Sequence, residues 1–260
     1  MRTVQREAIG WAALWAGLTL PVAARAAGGE SSVPPTAWLT AAAYLVVATV
    51  LLLRGLRRHG AVRFGPANAV TSLRSTLVGL ITGLVVASFV APVPVALLVG
   101  LTVPALTLDA VDGWVARRTH SASELGARFD MEVDAFLLLV LSASVARELG
   151  PWVVTIGLLR YAFVAAGWML PWFRARLPYR YWRKVVTAVA GVALALAVAG
   201  VPAPVAAGAV GVALALLLES FGRDALWLVR HRAPVGAGKA PVGGSIQQSE
   251  PMGRVPDGPS

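Results

Sequence analysis

Residues 108–134 read LDAVDGWVARRTHSASELGARFDMEVD. This polar stretch joins apolar runs at 95–115 and 130–146. At about 100° per residue, Asp109, Asp112, Gly113 and Ala116 share one stripe of the first helix. Gly126, Asp130 and Asp134 share one stripe of the next. The expected arrangement sets the two stripes face to face on adjacent antiparallel helices. Gly113, Ala116 and Gly126 would let the backbones approach closely. Four carboxylates then converge on one small volume. Uncompensated, they would repel one another and resist burial at a membrane boundary. A divalent cation removes both problems. The chain has no cysteine and no well-placed histidine, so the ligands are oxygen, which favours Mg²⁺, Mn²⁺ or Ca²⁺ over zinc. Four carboxylates can hold two cations, an arrangement suited to a diphosphate. The bland reading is ion pairing with Arg117, Arg118 and Arg128. It serves for one aspartate and poorly for four on matched stripes. Glu132 points about 200° from Asp130 and is read as structural.

Outward from this stretch the chain is apolar. Of its 260 residues 57% are hydrophobic and 14% charged, against about a quarter charged in soluble domains. Apolar segments at 8–22, 36–53, 70–90, 95–115, 130–146, 152–170, 185–200 and 204–218 recur along the length. Most approach the length needed to cross about 30 Å of hydrocarbon as a helix. The class is therefore an all-α integral membrane protein. The net charge of +10 would suggest nucleic acid in a soluble protein. Here the basic residues gather at segment ends, so they report topology and anionic lipid, and no nucleic-acid partner is expected.

Basic groups at Arg54–Arg74, Arg117–Arg128, Arg174–Lys184 and Arg223–Lys239 are each separated by two spans. The positive-inside rule puts all four in the cytoplasm, with the C-terminus. The expected localisation is the cell (inner) membrane. Residues 54–68 are expected along the interface, and Arg223 and Asp224 as a local ion pair. Residues 1–53 form an N-terminal hydrophobic region, 54–232 the membrane domain, and 233–260 a Gly- and Pro-rich tail with little to bury. The first segment ends near Ala24-Arg25-Ala26, which fits a cleaved signal peptide. It equally fits a retained first helix, which a multispanning chain can keep.

The pattern D-x2-D-G-x2-A-R-x8-G-x3-D-x3-D runs without a gap through Asp109, Asp112, Gly113, Ala116, Arg117, Gly126, Asp130 and Asp134. It resembles the signature of the CDP-alcohol phosphatidyltransferases, and the likeness extends over residues 66–230. The resemblance implies a six-helix core with one or two extra N-terminal segments. It also implies two divalent cations, Mg²⁺ or Mn²⁺, on Asp109, Asp112, Asp130 and Asp134, with Asp134 also the general base. It implies nucleotide contacts from Gly113 and Arg117. A family segment Pro-Asn-x-x-Thr-x-x-Arg, part of the nucleotide pocket, is matched by Asn68, Thr71 and Arg74, with Ala67 in place of the proline. Asn68 and Thr71 carry over as donor contacts, and Ser123 corresponds to another. A homodimer is implied by the resemblance alone.

The implied reaction moves a phosphatidyl-type group from a CDP-linked donor, CDP-diacylglycerol in the first instance, to an alcohol, releasing CMP. Asp134 gives the hydroxyl proton a destination, and Arg117 offers a planar fork to phosphate. For the acceptor, Arg160 lies inside an apolar segment, where arginines are functional or paired. Arg183 and Lys184 open the next span and could bind an acceptor phosphate, or could anchor the helix at lipid head groups. Two other readings compete. An intramembrane Mg²⁺-dependent prenyltransferase predicts a second Asp-rich motif, and the C-terminal half offers only Glu148, Glu219 and Asp224 before the tail. A transporter or non-catalytic scaffold on the same fold predicts a broken metal position, and all four aspartates are present.

Overall fold

The computed structural model describes residues 2–26, 33–58, 66–118, 124–174 and 181–231. They form eight helices: α1 (Arg2–Ala26), α2 (Pro35–Arg58), α3 (Pro66–Ser88), α4 (Val95–Arg118), α5 (Glu124–Leu149), α6 (Val154–Met169), α7 (Tyr181–Val198) and α8 (Ala203–Arg230). Single 3₁₀ turns at Pro151–Val153 and Pro171–Arg174 flank α6. Among the described residues there is no strand. Prolines open α2, α3 and the first 3₁₀ turn, where a missing N–H costs no helical hydrogen bond. Gly150 takes φ 102° to pass from α5 into that turn, a conformation open to glycine without a Cβ penalty.

Helix α3 is the centre of the bundle. It packs on α1, α2, α4 and α5, while α7 joins α4, α5 and α8 on the far side. Val78 and Ile81 of α3, Leu141 of α5, Leu194 of α7 and Val210 of α8 are fully enclosed in one continuous core. The outward faces are also apolar: Leu39, Val46, Val103, Val205 and Val212 are largely exposed. A helix bundle that is apolar inside and out fits a hydrocarbon solvent. Among the described residues four helices are long and apolar enough to cross a membrane, at Pro35–Arg58, Asn68–Ser88, Pro151–Met169 and Ala203–Arg230, and Val95–Asp109 is a shorter apolar helix. The protein is an all-α integral membrane protein. The sequence leads to more spans than these four. In α5 the charged groups that interrupt the apolar run include Asp130 and Asp134, part of the internal cluster described below.

The helices outrun the apolar segments that predict them. α8 continues to Arg230 and α4 to Arg118, because a helix needs backbone hydrogen bonds rather than apolar side chains to continue. Of the stretch expected along the interface, Arg54–Arg58 complete α2 and Pro66–Asn68 open α3. Residues 59–65 and the tail at 232–260 lie outside the described residues. Helix α1 is packed in. Val4 and Ala8 are buried with Leu52, Leu56 and Ala69, and the Trp15 indole donates to the Ala69 carbonyl at 3.1 Å.

Two glycines set helix separations. A methyl at Gly83 of α3 would fall 2.1 Å from the Ala37 carbonyl oxygen of α2. One at Gly157 of α6 would fall 2.3 Å from Leu139 Cα and 2.8 Å from Ser142 Oγ of α5. Backbone on one side cannot yield locally, so the helices must part. Gly157→Ala is expected to cost about 1–3 kcal/mol, read as a lower midpoint of thermal unfolding in detergent. An unchanged midpoint would contradict the close approach of α5 and α6.

Candidate metal centre and active site

The first turns of α3 bury an unusual run of polar groups. Asn68, Thr71, Ser72, Arg74, Ser75 and Thr76 are all enclosed. Hydroxyls satisfy themselves locally: Thr76 donates to the Ser72 carbonyl at 3.1 Å, and the Ser75 and Tyr44 hydroxyls lie 3.4 Å apart. Asn68, Thr71 and Arg74 recur every three residues and so share one face of the helix.

Arg74, with no exposed side-chain surface, reaches into the acidic cluster. Its Nη1 donates to Asp109 Oδ1 at 2.8 Å. Its Nη2 contacts the Asp130 carboxylate, the Asp130 carbonyl at 3.2 Å and Asp134 Oδ1 at 3.0 Å. Asp109 comes from α4, while Asp130 and Asp134 sit one turn apart on α5. One carboxylate oxygen from each lies within 4.8 Å of the other two. Each carboxylate keeps about a quarter of its surface open, so the cluster is walled but reachable.

Three carboxylates and one guanidinium leave two negative charges among these four groups. That imbalance and the all-oxygen donor set fit a hard divalent cation. Asp109, Asp130 and Asp134 are the described residues that would hold it. The helix backbone of α4 includes Asp112, Gly113 and Arg117, but their side chains lie outside the described residues, as does Ser123.

The means of convergence differs from the expected one. α4 and α5 touch each other little among the described residues. Each packs on α3 and α7. Among the described residues the two acidic stripes are joined through α3, and the close approach expected at Gly113 and Ala116 falls on side chains outside the described residues. Arg74 joins them. Grouped by sequence with the loop arginines, Arg74 is instead an internal residue of the site. Its spacing from Asn68 and Thr71 is the signal that could have found it.

Glu132 faces away from the cluster and accepts from Arg160 Nη2 at 2.6 Å, an ion pair on the α5–α6 surface. The arginine assigned to the acceptor is thus engaged by a carboxylate. Arg183 and Lys184 occupy the first turn of α7. Ten residues into α7, a methyl at Gly191 would meet Leu106 of α4 and Leu138 of α5, each about one turn from the acidic cluster along its helix. Arg183 reaches Asp224 of α8 at 3.4 Å, and Asp224 is nearly buried. The expected Arg223–Asp224 pair is therefore corrected: Arg223 pairs with Glu219, one turn earlier, at 2.5 Å. Lys184 is exposed.

The sequence model of the CDP-alcohol phosphatidyltransferase family matches residues 64–218, more than half of the chain. The chain belongs to this family. Neither a curated protein nor a solved structure matches it. The CDP-alcohol phosphatidyltransferase match begins just before α3 and ends within α8, so the acidic cluster and Arg74 fall inside it, and α1 and α2 precede it. Membership implies transfer of a phosphatidyl group from a CDP-alcohol to an alcohol within a membrane.

Proposed function

We propose that the chain transfers a phosphatidyl group from CDP-diacylglycerol to a small alcohol or phospho-alcohol and releases CMP. The observation that carries this reading is the convergence of Asp109, Asp130 and Asp134 within 4.8 Å inside a membrane bundle. Asp112, one turn from Asp109, completes a four-carboxylate set for two Mg²⁺ or Mn²⁺ ions. Bound there, the cations supply charge neutralisation for a diphosphate and for the phosphate oxygen that departs with CMP.

The chain's own residues do the rest. Asn68, Thr71, Gly113, Arg117 and Ser123 bind the nucleotide end of the donor. Burial of Asn68 and Thr71 on α3 supports this, because an enclosed polar face beside the aspartates is preorganised for a polar ligand. Asp134 takes the proton of the acceptor hydroxyl as its oxygen bonds to phosphorus and the bond to CMP breaks. Asp134 lies one turn deeper in α5 than Asp130, toward the lipid portion of the donor. Arg183 and Lys184 bind the acceptor when it carries a phosphate. Arg160, turned to Glu132 on the α5–α6 surface away from the cluster, is left out of the acceptor site in this reading.

The distribution of basic residues supports a cytoplasmic active site and C-terminus in the inner membrane. The packing of α1 against Ala69 supports its retention as a helix. A homodimer is expected from the resemblance. The test is CMP release by purified protein in detergent, given CDP-diacylglycerol and a panel of alcohols. Activity is expected to require added Mg²⁺ or Mn²⁺ and to vanish in excess chelator. Full turnover in chelator would overturn the metal reading.

A further inference from the structure

Arg74 is the one fully buried basic side chain among the described residues, and it touches all three carboxylates of the cluster. We propose that Arg74 is a built-in cation of the metal centre: it holds Asp109, Asp130 and Asp134 together in the metal-free protein and competes with the divalent cation for their oxygens. The proposal rests on the metal-binding reading above.

The geometry supports it in three ways. First, the aspartates come from two helices that touch each other little among the described residues, and α3 stands against both. Without a cation between them, three carboxylates this close would drive α4 and α5 apart. A guanidinium on the central helix supplies that cation permanently, and its planar fork can serve two helices at once. Second, Arg74 contacts one oxygen on each of Asp109, Asp130 and Asp134. An oxygen turned toward a guanidinium is less available to a metal, so a metal that enters must loosen at least one of these contacts. Third, one positive charge does not neutralise three negative ones. The residual charge still attracts a divalent cation, which makes Arg74 a weak competitor rather than a block. A site built this way stays assembled when empty and holds its metal less tightly than four bare carboxylates would.

The experiment is a Mn²⁺ titration of the full-length protein in detergent, read by the free-ion electron paramagnetic resonance signal. Thermal unfolding is followed in parallel with Mn²⁺ and with chelator. Wild type, Arg74→Met and Arg74→Lys are compared. Loss of a charge-assisted hydrogen bond that opposes the metal is expected to tighten Mn²⁺ binding about tenfold in Arg74→Met. Its unfolding midpoint should fall in chelator and rise with Mn²⁺ by more than that of wild type. Arg74→Lys, a compact charge that cannot fork between two helices, should lie between. Arg74→Met that is recovered folded only with Mn²⁺ is the same result in stronger form. Arg74→Met that folds under neither condition leaves Arg74→Lys to decide, and unchanged Mn²⁺ affinity there overturns the proposal. Equal saturable binding by all three proteins overturns the role of Arg74 alone. Absence of saturable Mn²⁺ binding by wild type and both variants overturns the metal reading and the proposal with it.

Discussion

Asp130→Asn is expected to reduce CMP release at least about a hundredfold, while Glu132→Gln, two residues along the same helix, leaves it within about threefold of wild type. The contrast follows from direction. Asp130 turns inward, where its carboxylate meets Arg74 and lies beside Asp109 and Asp134. Glu132 turns outward and is more than half exposed. The amide keeps the size of the aspartate and can still accept from a guanidinium, but it lacks the charge a metal needs. Even outer partners of metal ligands cost about ten- to a hundredfold when removed, so a ligand itself stands at or beyond the upper end. Glu132→Gln gives up an ion pair with Arg160 that is open to its surroundings, and such pairs contribute about 1 kcal/mol or less. Turnover at fixed Mg²⁺ and saturating CDP-diacylglycerol measures the contrast. Comparable losses in both variants would mean that facing direction on α5 does not decide function.

Asp134→Asn is expected to lose about 10²- to 10⁴-fold in kcat, the range of general-base removal, with donor affinity nearly intact. Asp109→Asn is expected to weaken donor binding about ten- to a hundredfold in the presence of Mn²⁺. Both residues contact Arg74, at 3.0 Å and 2.8 Å, so both variants lose a similar structural contact. Stability alone will therefore not separate them. The helices that carry them differ. Asp134 lies about 6 Å further along α5 than Asp130 at 1.5 Å per residue, toward the apolar interior where the proposed reaction would bring donor phosphorus and acceptor hydroxyl together. Asp109 lies on α4, the helix that also carries Gly113 and Arg117. Equilibrium binding of a CDP-lipid with Mn²⁺ present, set beside kcat for each variant, distinguishes the roles. Equal losses of donor affinity would make Asp134 chiefly a metal ligand, with the base elsewhere.

The sequence by itself determined the all-helical membrane class and the pairing of Asp130 with Asp134. Both depend on the local geometry of one helix, which hydropathy and the spacing of residues three and four apart report directly. It also placed Glu132 off the acidic face of α5, for the same reason. Only the tertiary structure decided which helices stand between which. That Arg74 meets residues 35 and 56 positions away depends on α3 lying against both α4 and α5. An arginine near a loop otherwise reads as a topology signal. The same limit applies at the other basic cluster. Arg223 and Asp224 are neighbours in sequence, yet adjacent residues on a helix point about 100° apart and do not face each other. Arg223 therefore finds Glu219 one turn back, and Asp224 turns inward to Arg183 of α7. Charge pairing within a helix follows from its period, whereas pairing between helices waits on the packing that brings them together.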